Sequence, residues 1–247
     1  MNRYKAAFAY LRNAAPFYQW RIIRTPCPLC ESRYFIALRH DPFMTRCLSC
    51  KANLVNLSLI PVIKQHLQTH NVTDVWEMST YGATLQFLQH SVANVSATEY
   101  DERYESGRVV DGVLYQDAQN TSFADGSLDL ITSNQVFEHV EDDLRGFAEC
   151  YRVLRPGGAL ILSVPLYDIP ATQQLVDREN GELVFLCEPE YHGSRVSGPN
   201  SVLTFWRHSI HDICARIARC GFSARLVEYK TGSRHIDSAW IIYATRS

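Results

Sequence analysis

The chain has 247 residues, with 24 Lys and Arg against 26 Asp and Glu, a formal net charge of −2, and 46% of its residues are hydrophobic. This length and apolar content allow a sizeable core, which excludes wholesale disorder and suits one large domain with an appendage. The longest strictly apolar run near the start, Ala6 to Leu11, is far short of the ~18 residues a membrane span requires, and the polar start Met1-Asn2-Arg3 argues against a secretory signal. A reducing, cytoplasmic compartment is therefore expected, where eight Cys call for an explanation other than disulfides.

Charge is uneven along the chain. Residues 1 to 53 hold nine Lys or Arg against only Glu31 and Asp41, a balance of +7 that leaves −9 for the rest. The asymmetry predicts a boundary near residue 53. It gives the first segment an attraction for an anionic partner such as phosphate, acidic glycan or nucleic acid, or else for the acidic body of its own chain. Within it, Tyr4, Phe8, Leu11 and Ala15 recur at helical spacing and predict a short amphipathic helix ending near Pro16, packed on the protein or else resting on a membrane surface.

Cys27-Pro-Leu-Cys30 is followed after sixteen residues by Cys47-Leu-Ser-Cys50, the spacing of a tetrathiolate zinc ribbon. Each CxxC turn aims two sulfurs at one point, and two turns complete a tetrahedron with no position left for water, so the expected role of the ion is structural. Arg46 and Lys51, beside the second pair, suit the excess negative charge of four thiolates around Zn²⁺. Cys150, Cys187, Cys214 and Cys220 lack ligand spacing and read as buried apolar residues.

From Leu54 to Leu67 apolar positions recur at helical spacing across Pro61, and beyond them strands alternate with helices. The expected strands are Val72 to Met78, Asn94 to Tyr100, Val113 to Gln116, Leu128 to Ser133, Ala159 to Pro165, Phe222 to Tyr229 and Ala239 to Thr245. Helices are expected at Ala83 to His90, Asp142 to Leu154 and Ser209 to Cys220, the last closed by Gly221. This alternation predicts an α/β domain. The strand from Val72 runs into Ser79-Thr-Tyr-Gly82-Ala83 and a helix, the place where a doubly wound sheet binds a nucleotide-like ligand. Acids follow successive strands: Glu77 closes the first, Glu99 the second, and Asp117 comes after the third. A carboxylate at the end of the second strand is suited to accept hydrogen bonds from both ribose hydroxyls of an adenosine.

The segment Asp129-Leu-Ile-Thr-Ser-Asn134-Gln-Val-Phe-Glu138-His139-Val, followed by Tyr151-Arg-Val-Leu-Arg-Pro156-Gly157-Gly158, resembles class I S-adenosylmethionine-dependent methyltransferases, and among them the type 11 methyltransferase group. The similarity covers roughly residues 70 to 166. It implies a Rossmann-like, doubly wound seven-stranded sheet over residues 54–247, preceded by the zinc ribbon in residues 1–53. It also implies that the turn around Ser79 and Gly82 passes beneath the methionine part of the cofactor, and Glu77 is counted among the cofactor-binding residues. Glu99 would hold the ribose, Asp117 with Ala118 would read the adenine edge, and Asn134 would border the methyl-donor end. Pro156-Gly157-Gly158 would shape the turn into the fifth strand. One departure stands out: the family's first motif has two or three glycines where this chain reads Glu77-Met-Ser-Thr-Tyr-Gly82-Ala, so only Gly82 is left to let backbone approach the cofactor.

Because the sulfonium cofactor is already an activated methyl donor, the protein mainly has to position a nucleophile, and a hydroxyl acceptor also needs a base. His139, just after the fourth strand, is the first candidate base. His192 is the second, in a segment from Tyr167 to His208 that reads as a substrate cap carrying Glu190-Tyr191-His192-Gly193, Arg195 and Trp206-Arg207-His208. A carboxylate such as Glu138 or Glu190 is the fallback. The sequence thus predicts a methyltransferase acting on a small-molecule or glycan-type acceptor, at oxygen. Two alternatives stay open: an rRNA or tRNA base methyltransferase using the basic zinc module for RNA, and a scaffold that has the fold without catalysis, in line with the glycine-poor first motif.

Overall fold

The computed structural model describes residues 20–38, 41–194, 198–230 and 239–247. The helix expected before Pro16 and the cap residue Arg195 lie outside them. The described chain opens with a three-stranded antiparallel sheet of β1 (Arg21–Arg24), β2 (Tyr34–Ala37) and β3 (Thr45–Cys47). Four strand residues cannot bury a core alone, and this sheet borrows one. Ile23, Phe35, Ala37, Cys27 and Cys47 pack with Leu57 and Ile60 of the next helix and with Ala83.

That helix, α1 (Leu54–Thr69), is capped by Asn53, whose Oδ1 accepts the Asn56 N–H at 2.8 Å and so satisfies one of the orphan donors of the first turn. It continues through Pro61. Next come β4 (Asp74–Glu77), α2 (Ala83–Ser91), β5 (Asn94–Glu99), β6 (Val109–Val110), β7 (Val113–Tyr115), β8 (Leu128–Asn134), α3 (Asp143–Val153) and β9 (Leu154–Ser163). Side chains alternate across these strands. Val75, Leu130 and Ile161 meet Leu59 and Ile63 of α1 on one face, while Trp76, Ile131 and Leu160 meet Phe147 of α3 on the other.

The chain ends with α4 (Ile213–Ala218), β17 (Phe222–Tyr229) and β18 (Ala239–Arg246), after seven short strands: β10 (Leu166–Tyr167), β11 (Gln173–Gln174), β12 (Val176–Glu179), β13 (Glu182–Phe185), β14 (Tyr191–Ser194), β15 (Gly198–Leu203) and β16 (Trp206–Ser209). The main sheet has the order β17-β18-β9-β8-β4-β5-β7-β6. Its order reverses at β4, which pairs parallel with both β5 and β8, and this is the switch point where such sheets bind ligands.

Three expectations need correction. The sheet has eight strands rather than seven, because Asp111 (φ 50°) and Gly112 (φ 79°) turn the chain between β6 and β7 and add an edge strand. β9 begins at Leu154 rather than Ala159, running through the Pro-Gly-Gly turn. A Cβ at Gly158 would come 2.9 Å from the carbonyl oxygens of Arg155 and Asp129, so only glycine lets these backbones approach. The helix expected from Ser209 begins at Ile213 instead, since Ser209 belongs to β16.

The cap is built of these short strands with a core of its own, made by Leu175, Val176, Phe205 and Trp206. It is fastened to the main body by polar contacts. The Trp206 indole N–H donates to the Val140 carbonyl at 2.9 Å, and buried His208 Nε2 lies 3.1 Å from Asp143, which also accepts from Arg216 at 2.7 and 2.6 Å. His208, expected in the cap's substrate face, is instead a buried anchor of it.

Candidate active site and cysteine cluster

The two CxxC turns have the same shape. The Glu31 N–H donates to the Cys27 carbonyl at 3.0 Å and the Lys51 N–H to the Cys47 carbonyl at 3.1 Å, and Glu31 and Lys51 share a left-handed backbone (φ 62° and 65°). The turns face each other, so that Cys27 Sγ lies 3.7 Å from Cys50 Sγ and Cys30 Sγ 3.6 Å from Cys47 Sγ. All four sulfurs lie within 4.8 Å of one another. A tetrahedron with metal–sulfur bonds of about 2.3 Å has edges of about 3.8 Å, and the Cys27–Cys50 and Cys30–Cys47 pairs already stand at that spacing. Burial pushes the Cys27 and Cys50 thiols up. Arg46 and Lys51 hold this corner together: Arg46 Nη1 donates to the Lys51 carbonyl at 3.2 Å, and Lys51 Nζ donates to the Leu48 carbonyl.

The cofactor-side residues gather at the carboxyl edge of the main sheet. Glu77 ends β4, Glu99 ends β5 and Asn134 ends β8, while Asp117 lies just beyond β7. Gly82 caps α2 with φ 113° and ψ 177°, a backbone region costly for any other residue. A Cβ there would meet nothing within 4 Å, which leaves an open cradle beside the loop. The loop is braced by side chains in place of the missing glycines. Thr80 donates to Glu99 Oε1 from its N–H at 3.0 Å and from Oγ1 at 2.5 Å, and Ser79 Oγ donates to the Tyr81 carbonyl at 3.0 Å. Tyr81 is 37% exposed.

Glu77 is different from its neighbours: 2% exposed, it accepts a hydrogen bond from Thr132 Oγ1, and burial pushes its pKa to about 8. Asp117 Oδ1 accepts the Gln119 N–H at 2.8 Å, with Ala118 buried beside it. A cleft of about 470 Å³ opens there, lined by Tyr100, Glu102, Tyr104, Ser106, Asp117 and Asn120 among others. Asn134 Oδ1 accepts from Ser163 Oγ at 2.9 Å, and its Nδ2 donates to the Val55 carbonyl at 3.3 Å. The start of α1 therefore closes over the end of β8.

His139 and His192 come together although they are distant in the chain. His139 sits in a 3₁₀ turn, Phe137–His139, directly after β8. β14 brings His192 to it, because β15 pairs with β14 and the chain beyond β15 is tied to the same turn: the Phe205 N–H donates to the Glu138 carbonyl at 2.8 Å. The two rings meet edge to face with centroids 4.9 Å apart. Burial lowers the His139 pKa to about 4, so its ring is neutral at physiological pH. Between them lies the Glu138 carboxyl group, 1% exposed and without a hydrogen-bond partner on either oxygen. Burial pushes its pKa to about 8. Behind His192, Glu190 accepts from Arg207 at 2.9 Å and from Tyr167 at 3.2 Å. Sequence reasoning missed the roles of Arg207 and Tyr167, whose one signal was that both belong to the polar cap.

Residues 78–162 match the family model described as a methyltransferase domain. A malonyl-[acyl-carrier protein] O-methyltransferase from Methylococcus capsulatus is 48% identical over 52 residues, 21% of this chain and 19% of that protein. An arsenite methyltransferase from Aquipseudomonas alcaligenes is 34% identical over 100 residues, 40% of this chain and 28% of that protein. The chain thus spans less than a third of the length of either relative. In three dimensions it is similar to a Listeria monocytogenes protein described as an S-adenosylmethionine dependent methyltransferase, with a TM-score of 0.50 and 11% identity over 78% of this chain and 98% of that one. That likeness is one of fold. Within this fold, residues 78–162 accordingly resemble a methyltransferase domain.

Proposed function

We propose that this protein is an S-adenosylmethionine-dependent methyltransferase that methylates a hydroxyl of a small-molecule or glycan-type acceptor. The observation that carries this reading is the convergence of Glu138, His139 and His192 just past the end of β8, the strand that Asn134 closes at the carboxyl edge of the sheet. A proton-accepting cluster there is useful only to an acceptor that loses a proton as it is methylated.

The cofactor supplies an activated methyl group when bound, and the open cradle at Gly82 and the unshared capacity of the Glu99 carboxylate fit it. Glu99 accepts from the ribose hydroxyls while its Oε1 fixes Thr80 and thereby the loop. Asp117 and the adjoining cleft receive the adenine. Asn134, oriented by Ser163 and the Val55 carbonyl, borders the methyl end. The cap excludes water over the acceptor and presents His192 opposite His139, so that one imidazole of the pair takes the acceptor's proton. The four cysteines hold a structural zinc ion, since they satisfy its geometry and leave no open ligand position.

The test starts with calorimetric titration of S-adenosylmethionine into the purified chain, followed by a methyl-transfer screen against extracts separated into RNA, lipid-linked glycan and small molecules. Binding together with labelling of the glycan or small-molecule fraction is expected. Labelling confined to RNA replaces the acceptor with a nucleic acid, and absence of cofactor binding makes the protein a scaffold.

A further inference from the structure

We infer that Glu138, His139 and His192 form a second metal site, for a divalent cation of the Mn²⁺, Fe²⁺ or Zn²⁺ kind, separate from the four cysteines. The inference deepens the proposed methyl transfer and rests on that reading for the cation's purpose, though not for its binding. His139 Nε2 and His192 Nδ1 both lie 3.8 Å from the same atom, Glu138 Oε1. One ligand atom from each residue falls within 4.8 Å of the other two. Two imidazoles and a carboxylate are a ligand set that suits first-row transition cations.

The second nitrogen of each ring is already engaged. His139 Nδ1 lies 2.8 Å from the Leu203 carbonyl, an acceptor only, so this nitrogen carries the proton and Nε2 presents its lone pair toward Glu138. His192 Nε2 lies 3.4 Å from Glu190 Oε1, whose negative charge is held by Arg207. With the proton on Nε2, the His192 Nδ1 lone pair also faces Glu138. This is how metal-ligating histidines are oriented, with the far N–H donated to a carbonyl or carboxylate that fixes tautomer and ring angle.

Two nitrogen lone pairs and the Glu138 carboxyl thus converge on one point. The Glu138 carboxyl is 1% exposed and neither oxygen has a hydrogen-bond partner, an arrangement costly without a compensating positive group. A tetrahedral ion with bonds of about 2.1 Å separates its ligand atoms by about 3.4 Å, so the 3.8 Å gaps close by rotations of a few tenths of an ångström. A cation there keeps open positions, since only three protein ligands reach it; the two imidazoles then serve as its ligands in place of a base, and an acceptor hydroxyl bound at an open position gives up its proton more readily to solvent. The soft thiolates of the cysteine cluster favour zinc, so Mn²⁺ discriminates between the two places.

The experiment uses the full chain, dialysed against a mild chelator until zinc analysis gives about one ion per chain, then titrated with Mn²⁺ while free Mn²⁺ is followed by electron paramagnetic resonance. One Mn²⁺ per chain is expected to bind, with affinity reduced at least tenfold in Glu138→Gln and in His192→Ala. Circular dichroism checks that both variants fold, and His192, half-buried in the cap, is the safer of the two. Equal Mn²⁺ binding by wild type and both variants, or none by any of them, overturns the inference. So does an infrared carboxylic-acid band present in wild type with Mn²⁺ and lost in Glu138→Gln, because a proton would then occupy the place of the cation. Calorimetry with S-adenosylmethionine on the same samples separates the two claims: Mn²⁺ binding without cofactor binding sinks the methyltransferase reading and leaves the metal site, and the converse does the opposite.

Discussion

His139 and His192 meet at 88° between ring planes, one held by the turn after β8 and the other by strand β14 of the cap. Each ring depends on a different part of the fold, so their losses should differ. Replacing either by Ala should lower the rate at saturating acceptor by roughly 10²-fold or more, and raising the pH should not restore it, because the missing group cannot be titrated back. His192→Ala should leave S-adenosylmethionine affinity intact, whereas His139→Ala, beside the end of β8, should also disturb it. Steady-state kinetics with the acceptor found by the screen checks this, and near wild-type rates from both variants would remove the histidines from the chemistry.

The Thr80–Glu99 contact gives a second prediction. Glu99→Ala removes a charged acceptor from the ribose and releases the loop at once, and with each hydrogen bond to a charged group worth roughly 1.5–3 kcal/mol, cofactor binding should weaken by well over tenfold. Thr80→Val spares the carboxylate and loosens only the loop, so its loss should be clearly smaller. Calorimetry on both variants decides. If Glu99→Ala binds as wild type does, the ribose lies elsewhere.

The cysteine cluster is predicted to support the cofactor loop as well as its own segment. Cys27 and Cys47 share a buried cluster with Leu57, Ile60 and Ala83, and Ala83 is the first residue of α2 after Gly82. A Cys27→Ser/Cys47→Ser variant should lose its zinc, expose the face of α1 and α2 that the ribbon covers, and bind S-adenosylmethionine more weakly although no cofactor contact has changed. Metal analysis, hydrogen exchange across residues 20–91 and calorimetry read these three effects. Wild-type protein that is fully folded and metal-free would contradict the zinc assignment.

Much of the sheet was legible because its central strands β4, β8 and β9 are largely buried and read as apolar runs, β4 and β5 end in Glu77 and Glu99, and β17 and the start of β18 fall where the pattern places them. Gly82 was legible too, since its backbone demands glycine. The edge strand β6 was not: two residues, Val109 and Val110, are too short to show a period, and the Asp111-Gly112 turn is their only signal. The cap strands are equally short. The partnership of Glu138 with His192 depends on long-range pairing through β15 that no local pattern encodes, and the burial of His208 against Asp143 is set in the same way. The glycine-poor loop looked like a weakness in the sequence, yet the structure supplies a brace, Thr80 on Glu99, that a residue-by-residue reading treats as two separate positions.

The last prediction concerns acid stability and His66. This residue of α1 is 2% exposed, with Nδ1 3.0 Å from the Tyr243 hydroxyl and its ring stacked on His70 at 4.2 Å. Burial, helped by the neighbouring His70 and opposed by Asp129, lowers its pKa to about 4. In the unfolded chain the pKa returns to about 6.5. Between these values the unfolded state binds a proton that the folded state refuses, so stability falls as the pH drops from about 6.5 to about 4 and levels off below. The contribution lost across that window is on the order of 2 kcal/mol after allowance for solvent screening. His66→Phe removes the titrating group at the cost of the Tyr243 contact, a penalty that does not vary over this range. The variant should therefore be the less stable protein near pH 7, and its deficit should shrink or reverse toward about pH 4.5. Other acid-sensitive groups, His139 among them, are common to both proteins and cancel in the difference. Urea unfolding of the two proteins in steps across the window measures it directly, and stability curves that stay parallel would show that His66 is protonated as easily in the folded protein as in the unfolded chain.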